Sequence, residues 1–441
     1  MPCVPAKPTP EQVEWADCEF GVIIHLDLEV FNPSWNYGDK PDLSPAIFNP
    51  RQLDTDQWLS AAKAMGAQYA VLVAKHGTGF SLWPTAAHDY SVASSPWRGG
   101  KGDIVADFIA SCQRFGIRPG LYASTTGNCR YNVIAPGVAK SGLLADQVQY
   151  NKMVEMQLTE LWTRYGRLFE IWFDGGTLAP SEGGPHLADL VNRHQPSAIC
   201  FQGPEGVRST IRWPGNERGY VDDPCWSTTR MRHADEWKPG MPDMGATLPM
   251  FGSGCADGDL WSPAENDMTN RDYDKAYQGG WFWRAGEDHL VYPVETMIER
   301  YYTCVGRNAN FVCGMVIDDR GLFPDADVRQ FEAVGRELRR RFGTPLASTS
   351  GRGNEVTLTL PRPQRIDHAI LMEDILEGER VREYVVEVKT GPAWTQVAAG
   401  QCIGHKRIIR FPAVEASAVR VRVLQSIAEP LLRSVAAYCV E

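Results

Sequence analysis

Short apolar runs rich in β-branched and aromatic residues alternate with stretches of helical periodicity over the first three-quarters of the chain. Each run is bounded by turn residues and has the length of a buried strand. Alternation of such strands with helices indicates a parallel sheet with crossover helices. The clearest predicted strands are 20–26, 69–76, 118–124, 168–174 and 197–203.

The predicted helices between these strands are 56–65, 103–115, 144–165 and 186–194. Repeated β-α units over about 340 residues favour an α/β fold of the (β/α)8-barrel type, with an open doubly wound sheet as the alternative. Neither a G-x-G-x-x-G segment after the first strand nor a G-x-x-x-x-G-K-[ST] segment occurs. The chain therefore lacks the usual signals for binding a dinucleotide or a nucleotide phosphate.

The amino-acid composition changes after a predicted helix at 325–342. Residues 343–353 are rich in Gly, Pro, Ser and Thr and predict a linker, so we expect a catalytic barrel over 1–345 and a second domain over 346–441. Short alternating strands without helices indicate a small antiparallel β-sandwich, which could bind carbohydrate or simply support the barrel. Its predicted strands are 356–360, 369–372, 384–388, 394–398, 406–411 and 419–424.

Composition excludes several classes of protein. The 441 residues are 43% hydrophobic and 22% charged, which is typical of a folded globular chain. The 44 Lys and Arg residues against 54 Asp and Glu give a net charge of −10, and no basic cluster is longer than Arg339–Arg341. We therefore expect no nucleic-acid partner. Without an apolar run of about 18 residues, we expect no membrane span.

The cysteines and the amino terminus bear on the compartment. Eleven cysteines without a C-x-x-C pair argue against a zinc ribbon and against a dense disulfide framework. The first 17 residues contain four prolines and lack a basic segment followed by an apolar one. As given, the sequence predicts a cytoplasmic protein, and a secreted or periplasmic one if a signal peptide had been removed.

The fourth predicted strand ends on a candidate catalytic carboxylate. Alternation places Leu168, Glu170, Trp172 and Asp174 on one face of the strand, and Phe169, Ile171 and Phe173 on the face that suits the helix layer. Asp174 would then point to the barrel axis, where active sites of such barrels lie. The following Gly175-Gly176 pair leaves room for a ligand. The alternative is that Asp174 has no catalytic role and only caps the next loop.

Histidines end the first two predicted strands, at His25 and His76. They could bind a metal, hydrogen-bond a polar substrate or satisfy buried carbonyl groups. Metal-dependent barrel hydrolases commonly carry His-x-His on the first strand, whereas His25 is followed by Leu26 and Asp27. We therefore predict no metal site, and we favour hydrogen bonding to substrate hydroxyls.

Several motifs together resemble the family 29 glycoside hydrolases, the retaining α-L-fucosidases. The resemblance covers nearly the whole chain, and its motifs keep their order between residues 20 and 310. The motifs are Phe20-Gly-Val-Ile-Ile-His25, Ala74-Lys-His-Gly-Thr-Gly-Phe-Ser-Leu-Trp-Pro84, Gly102-Asp103, Phe169-Glu-Ile-Trp-Phe-Asp-Gly175, Trp213-Pro-Gly-Asn-Glu217 and Val305-Gly-Arg-Asn308.

The resemblance implies hydrolysis by double displacement at the anomeric carbon of L-fucose, without a cofactor. Asp174 matches the nucleophile, and neighbouring His or backbone donors are expected to keep its pKa low. Glu217 matches the acid/base of the branch that cleaves α-1,3 and α-1,4 linkages. Glu265 is the alternative acid/base, and Glu205 is a third candidate.

The resemblance also implies a fucose pocket. His25 and His76 would bind the sugar hydroxyls, Trp35 would line the pocket, and Trp172 would lie against the sugar. Tyr122 would reach the same pocket, with core packing as its alternative role. Trp35, Phe282 and Trp283 are candidates for the niche of the fucose methyl group, and the 279–283 loop, with Trp283, could stack on the acceptor.

This chain departs from the family pattern at three loops. Many relatives have His-His-Asp-Gly-Phe where this chain has His76-Gly-Thr-Gly-Phe80, so one His donor to the sugar is missing. Ser124-Thr-Thr-Gly-Asn128 stands where relatives often have Ser-Pro-Trp-Asp-Arg, and Ser34-Trp35 stands for Glu-Trp. Because these loops flank the sugar, the linkage preference stays open.

The expected partner is therefore a fucosylated oligosaccharide or glycoconjugate, with α-1,3/1,4-linked fucose on GlcNAc, including core α-1,3-fucose, as the expected linkage. The alternatives are a catalytically inactive carbohydrate-binding barrel and a metal-dependent barrel hydrolase. The sequence does not address the oligomeric state.

Overall fold

Eight parallel strands form the first part of the fold. The computed structural model describes residues 6–35, 43–230, 240–244 and 252–440. The strands are β1 (Phe20–His25), β2 (Tyr69–Lys75), β3 (Arg118–Ala123), β4 (Glu170–Trp172), β5 (Ile199–Phe201), β6 (Thr210–Ile211), β7 (Ala264–Thr269) and β8 (Ala309–Val316).

These strands form a barrel rather than an open sheet. Their order in the sheet is β7-β8-β1-β2-β3-β4-β5-β6, with parallel pairing throughout. A parallel bridge between Arg212 and Ala264 joins the two terminal strands. The predicted (β/α)8-type barrel is confirmed, and the alternative of an open sheet is wrong.

Helices pack outside the barrel: α1 (Pro10–Cys18), α2 (Thr55–Met65), α3 (Ile104–Phe115), α4 (Leu144–Arg164), α5 (Leu187–His194), α6 (Val294–Thr303) and α7 (Asp325–Phe342). Local chemistry sets their ends. The Asp103 side chain accepts from the Ala106 N–H and caps α3, which ends at Gly116 in the left-handed region. Within the described ranges, none of these helices has the length and apolar character needed to cross a membrane.

Strand β4 departs from the predicted alternation at its start. Ile171 and Phe173 pack in the layer between the strands and the helices, as expected. Phe169, however, packs against the cluster inside the barrel, and Leu168 packs in the outer layer. The regular strand begins only at Glu170, so the pleat does not extend to these two residues.

The C-terminal sheet contains β9 (Ala347–Arg352), β10 (Glu355–Glu373), β11 (Val381–Thr390), β12 (Ala393–Gly400), β13 (Arg407–Ser426) and β14 (Leu431–Tyr438). Strands β10 and β13 each join two predicted strands. The predicted linker at 343–353 is wrong in part, because it contains β9. This strand pairs with β14 at the edge of the sheet, where alternate side chains face solvent, so Ser, Thr and Gly are tolerated.

The two longest strands give this sheet its sandwich form. The register of β10 against β13 shifts between Thr359 and Gln364 and again before His368, so the two ends of each strand belong to different layers. Residues from both ends, such as Leu358 and Leu371, share one apolar core. Ile370 faces the other way and joins the core of the barrel. The sandwich therefore packs directly on the barrel, while the division at residue 345 stays a prediction.

Candidate active site

Polar side chains gather where the barrel strands end. His25 is the last residue of β1, His76 follows β2, Tyr122 lies near the end of β3, Asp174 follows β4 and Gln202 follows β5. Because parallel strands all end at the same rim of a barrel, these side chains form one cluster.

Asp174 stands on a tight turn at this rim. It is exposed to solvent, and the next two residues, Gly175 and Gly176, have φ values of 71° and 74°. A Cβ on Gly176 would lie 2.4 Å from Met244 Cγ and 2.5 Å from the Asp243 carbonyl oxygen. The turn therefore requires glycine at position 176, and it presents the Asp174 carboxylate to the barrel mouth.

Three neighbours hold the Asp174 turn. The Tyr122 hydroxyl donates to Asp174 Oδ2 over 3.0 Å, and the Thr126 hydroxyl donates to the Asp174 carbonyl over 3.1 Å. The Gly175 N–H donates to Gln202 Oε1 over 2.8 Å. Gln202 itself has a positive φ of 47°, a strained value that persists where surrounding contacts fix it.

The surroundings of Asp174 raise its pKa. Enclosure by protein has the largest effect, the Tyr122 hydrogen bond opposes it, and the charge of Glu217 adds to the increase. The expectation of a low pKa maintained by His or backbone donors is therefore wrong, because the donor is a tyrosine and its bond does not outweigh burial. The dependence on Glu217 also indicates that the two carboxyl groups lie within electrostatic reach.

Glu217 lies on the loop after β6 and is partly exposed. The Trp281 indole N–H donates to Glu217 Oε2 over 2.7 Å. The Asn266 amide of β7 donates to the Asn216 carbonyl over 2.8 Å and fixes the preceding residue of the loop. Arg218, the next residue, forms two 2.8 Å hydrogen bonds with Asp274. The carboxyl group is thus held on both sides while it remains accessible.

The two histidines form an aromatic cluster with Phe282 beside these carboxyl groups. The ring centroids of His25 and His76 are 5.9 Å apart, and Phe282 lies 5.3 Å from the first and 5.0 Å from the second. Burial lowers the pKa of His76 to about 4 and lowers that of His25 well below its ordinary value. Both rings are therefore neutral near pH 7, and each can donate one hydrogen bond and accept another.

Tryptophans surround the cluster at different depths. Trp172 is buried and stacks on Phe201, with ring centroids 3.8 Å apart and planes at 7°. Trp35 is 2% exposed, and its carbonyl oxygen accepts from Tyr277. The side chain that contacts both His25 and Glu217 is Trp281, 5.0 Å from the His25 ring, whereas the predicted Trp283 packs against the outer barrel core.

Three residues of the site, Trp281, Gln202 and Asp267, were not predicted from the sequence. Asp267 lies on β7, is 6% exposed and accepts from the Trp213 indole N–H over 2.8 Å. Burial raises the pKa of Asp267 well above its ordinary value, and the charges of Glu217 and Asp174 add to this. A run of polar residues in a barrel strand was the signal that could have identified it.

Glu265 and Glu205, the other acid/base candidates, lie elsewhere. Glu265 is fully buried inside the barrel, where it accepts from Tyr69 and Trp172. Glu205 is exposed on the loop after β5, where its backbone N–H donates to Asp243.

One group in the described part of the chain could hold a metal ion. Asp27, Glu29 and His76 each offer a ligand atom, and these atoms lie within 4.8 Å of one another. The Thr78 hydroxyl lies 2.6 and 2.7 Å from the two Asp27 oxygens. Burial raises the pKa of Asp27 to about 7 and that of Glu29 well above its ordinary value. Protons therefore compete with a cation here, and we interpret the group as a hydrogen-bonding cluster beside His76.

A barrel whose rim carries two accessible carboxyl groups, neutral histidines and tryptophans has the residues of a glycoside hydrolase. The α-L-fucosidase family model matches residues 6–341. α-L-Fucosidase 1 of Arabidopsis thaliana is 30% identical, covering 99% of this chain and 88% of the relative. The chain therefore belongs to the α-L-fucosidase family, and it is a glycoside hydrolase of the α-L-fucosidase class.

Solved structures agree with this membership. A crystal structure of a Bacteroides thetaiotaomicron protein assigned as an α-L-fucosidase has a TM-score of 0.91 and 37% identity, covering 99% of this chain and all of that chain. A glycoside hydrolase family 29 member from a rumen bacterium has a TM-score of 0.82 and 26% identity, covering 100% of this chain and 78% of that one.

Proposed function

We propose that the chain removes terminal α-L-fucosyl groups from oligosaccharides or glycoproteins with retention of configuration, with Asp174 as nucleophile and Glu217 as acid/base. The observation that carries this proposal is the pair of accessible carboxyl groups at the barrel mouth, one on a glycine turn and one held by an indole N–H. Retaining glycosidases need two carboxyl groups about 5–5.5 Å apart across the glycosidic bond.

In the proposed first step, an oxygen of Asp174 attacks the anomeric carbon while the bond to the leaving oxygen breaks and Glu217 gives that oxygen its proton. In the second step, a water molecule attacks the same carbon, Glu217 takes a proton from the water, and Asp174 leaves as a carboxylate. Tyr122 stabilises the ionised form of Asp174 before attack and after release.

The choice of Glu217 over Glu265 rests on access. An acid/base must reach the leaving oxygen and then a water molecule. Glu217 is partly exposed, whereas Glu265 is fully buried with both oxygens hydrogen-bonded inside the barrel. Glu205 is exposed, but its loop contacts Asp243 rather than the rim cluster.

The fucose pocket is proposed around His25 and His76, with Trp172, Tyr122 and Trp35 at its walls. Neutral imidazoles suit sugar hydroxyls because each hydroxyl both donates and accepts. A Ruminococcus gnavus family 29 fucosidase with the same fold, at 20% identity and a TM-score of 0.77, has been solved in complex with fucose. That complex supports fucose as the sugar that this chain binds.

The proposed linkage is α-1,3 or α-1,4 to GlcNAc, including core α-1,3-fucose. The family motif that ends in Glu217 supports it, as does Trp281, which is partly exposed and donates to Glu217. Trp283 lies on the same 279–283 loop and is also partly exposed. The 124–128 loop, which departs from the family pattern, contacts the turn that carries Asp174. The Thr126 hydroxyl donates to the Asp174 carbonyl and the Thr125 hydroxyl donates to the Gly176 carbonyl, so this loop can influence the linkage preference.

The test is a hydrolysis panel of a Lewis-type trisaccharide, a core α-1,3-fucosylated glycopeptide, 2′-fucosyllactose and an aryl fucoside. We expect release of fucose from the first two, poor cleavage of 2′-fucosyllactose and no loss of activity in a chelator. A preference for 2′-fucosyllactose would overturn the linkage. Loss of activity on chelation would instead favour a metal-dependent hydrolase, and intact fucose binding without any release would favour an inactive binding barrel.

A further inference from the structure

The barrel interior contains a second pair of carboxyl groups that the proposed reaction does not use. Glu170 is the first residue of β4, and Glu265 lies on β7 across the barrel. Both side chains are fully buried, each with an exposed fraction of 0%. Buried carboxyl groups without a cationic partner are costly, so their arrangement needs a cause.

Hydrogen bonds connect this pair to Trp172. The Trp172 indole N–H lies 2.5 Å from Glu170 Oε1 and 3.0 Å from Glu265 Oε2, and it donates to both. The Tyr69 hydroxyl donates to Glu265 Oε1 over 2.5 Å. Each oxygen of Glu265 therefore has a donor, and one donor is shared with Glu170.

The two carboxyl groups hold one proton between them. Two carboxylates in contact cannot both be ionised at low cost. Burial and the neighbouring Glu265 raise the pKa of Glu170 well above its ordinary value. Burial raises the pKa of Glu265 as well, so donor geometry decides where the proton lies. Glu265 accepts from both Tyr69 and Trp172, whereas Glu170 accepts from Trp172 alone, and the Trp15 indole lies near both carboxyl groups. We therefore place the proton on Glu170, facing the better-solvated negative charge of Glu265.

In the described part of the chain, the titratable groups that share the inner cluster with the pair stay neutral near pH 7. Tyr69 of β2 and Cys18 of α1 lie in this cluster, and burial raises the pKa of both. Trp15 and Trp172 are beside the pair and are not ionisable. The charged side chains Arg118 and Glu14 form a solvent-exposed ion pair further out. The proton of the carboxyl pair is therefore the one whose loss would most change the charge beside Trp172.

We propose that Glu170 and Glu265 are positioning residues that hold the indole of Trp172 in place through a one-proton carboxyl pair. Stacking on Phe201 fixes the plane of the ring, and the shared N–H hydrogen bonds fix its direction within that plane. Trp172 stands two residues before Asp174 on the same face, so its orientation shapes the sugar pocket. This inference rests on the proposed function for its kinetic readout.

Isosteric variants distinguish the roles of the two carboxyl groups. Gln at position 170 can donate to Glu265 through its amide and accept from Trp172 through its carbonyl, so E170Q reproduces the pattern. Gln at position 265 can keep its oxygen toward Trp172 only by turning its N–H toward Tyr69, whose hydroxyl then loses its acceptor. The substitution also removes the negative charge that receives the proton of Glu170. We expect E170Q to keep kcat/KM and fucose affinity within about twofold of wild type and E265Q to lose about tenfold or more.

A double-mutant cycle with W172F tests whether the effect passes through the indole N–H. If it does, E265Q costs much less in the W172F background than in the wild type. Glu373→Gln, which alters a buried carboxyl group of the sandwich, is the control for a general loss of stability, and it should leave fucose affinity unchanged. Equal losses in E170Q and E265Q, or additive losses with W172F, would overturn the proposal.

An infrared measurement does not depend on activity. The wild type near pH 7 should show the carbonyl stretch of a protonated carboxyl group that is missing in E170Q. If the wild type neither hydrolyses fucosides nor binds fucose, the proposed function fails while this band still tests the pair. Absence of the band from the difference spectrum of wild type and E170Q would overturn the proposal.

Discussion

Strand β4 brings a carboxyl group to each of two very different environments. Glu170 begins the strand and Asp174 follows its end, about 13 Å apart at roughly 3.3 Å per residue. Each has a carboxyl partner, Glu265 for the first and Glu217 for the second. Each pair accepts hydrogen bonds from an indole and a phenol, but the inner pair is fully buried, whereas the outer pair is accessible on a turn and a loop.

The two pairs show that being a carboxylic acid does not by itself determine whether a residue can react with the substrate. Loss of hydration raises the pKa of all three carboxyl groups, although Glu170 and Glu265 are fully buried and Asp174 is still reached by solvent. Only the outer carboxyl groups can reach an anomeric carbon and a water molecule. Their position along the barrel axis, set by where β4 ends, separates the proposed reacting pair from the pair that we propose holds the Trp172 ring.

The largest expected difference between the pairs comes from Asp174→Asn. Because the amide cannot attack the anomeric carbon, kcat should fall by at least about a thousandfold without unfolding. Glu170→Gln, the equivalent change at the other end of β4, is the matched control and should stay near wild type. Steady-state kinetics on an aryl fucoside and thermal melts check both. Comparable losses in the two variants would abolish the distinction between the pairs.

Substitutions of the two partner residues, Glu217 and Glu265, should differ in how strongly their effect on the rate depends on the leaving group. Glu217→Ala should slow natural glycans about 10²–10⁴-fold, because their alcohols leave with a proton, and should affect activated aryl fucosides much less. Glu265→Ala should slow both substrate types by a similar factor, because it acts through Trp172. Measuring kcat/KM on both substrates checks this. A selective loss on glycans in Glu265→Ala would move the acid/base role to Glu265.

Tyr122 should set the acid side of the pH profile. Asp174 has a raised pKa and acts when ionised, so activity is present above that pKa and is lost as pH falls through it. Tyr122→Phe removes a hydrogen bond that lowers this pKa, so the loss should begin at higher pH. Tyr150→Phe removes a hydroxyl that donates to the Thr125 carbonyl rather than to Asp174, and it is the control. An unchanged profile of kcat/KM in Tyr122→Phe would contradict the assignment.

The smallest effect is expected at the 279–283 loop. Trp283→Ala should weaken long substrates more than aryl fucosides if this loop stacks on the acceptor. Trp281→Phe keeps an aromatic ring but removes the N–H that bonds to Glu217, so it should lower kcat on glycans more than on aryl fucosides, with little change in KM. KM and kcat for a Lewis-type trisaccharide and an aryl fucoside distinguish the two effects. Equal KM changes for both substrates in Trp283→Ala would exclude an acceptor contact.

Much of the barrel was predictable because its strands are apolar and bounded by turns. Strand β7 was not predicted, since Glu265, Asn266 and Asp267 make it polar while the barrel encloses it. Strand β9 was mistaken for a linker because an edge strand tolerates Ser, Thr and Gly. Hydrophobic periodicity detects contact with an apolar layer, and these two strands make little of it.

The candidate site was predictable at the level of motifs and strand ends, and less so at the level of contacts. Asp174, His25 and His76 come together because parallel strands end at one rim. The raised pKa of Asp174 depends on enclosure and on Glu217, which is 43 residues away in the sequence. Trp281, and not Trp283, donates to Glu217 because of the path of the 279–283 loop, and residue spacing in the sequence does not predict that path.

The central claim, that Asp174 is the nucleophile, is tested most directly by chemical rescue. Asp174→Ala should be folded and nearly inactive on an aryl α-L-fucoside, and added azide should restore turnover by entering the space of the missing carboxylate. The product should be β-L-fucosyl azide, because the single displacement by azide inverts the configuration. Turnover near the wild-type rate without azide, yielding free fucose, would contradict the account.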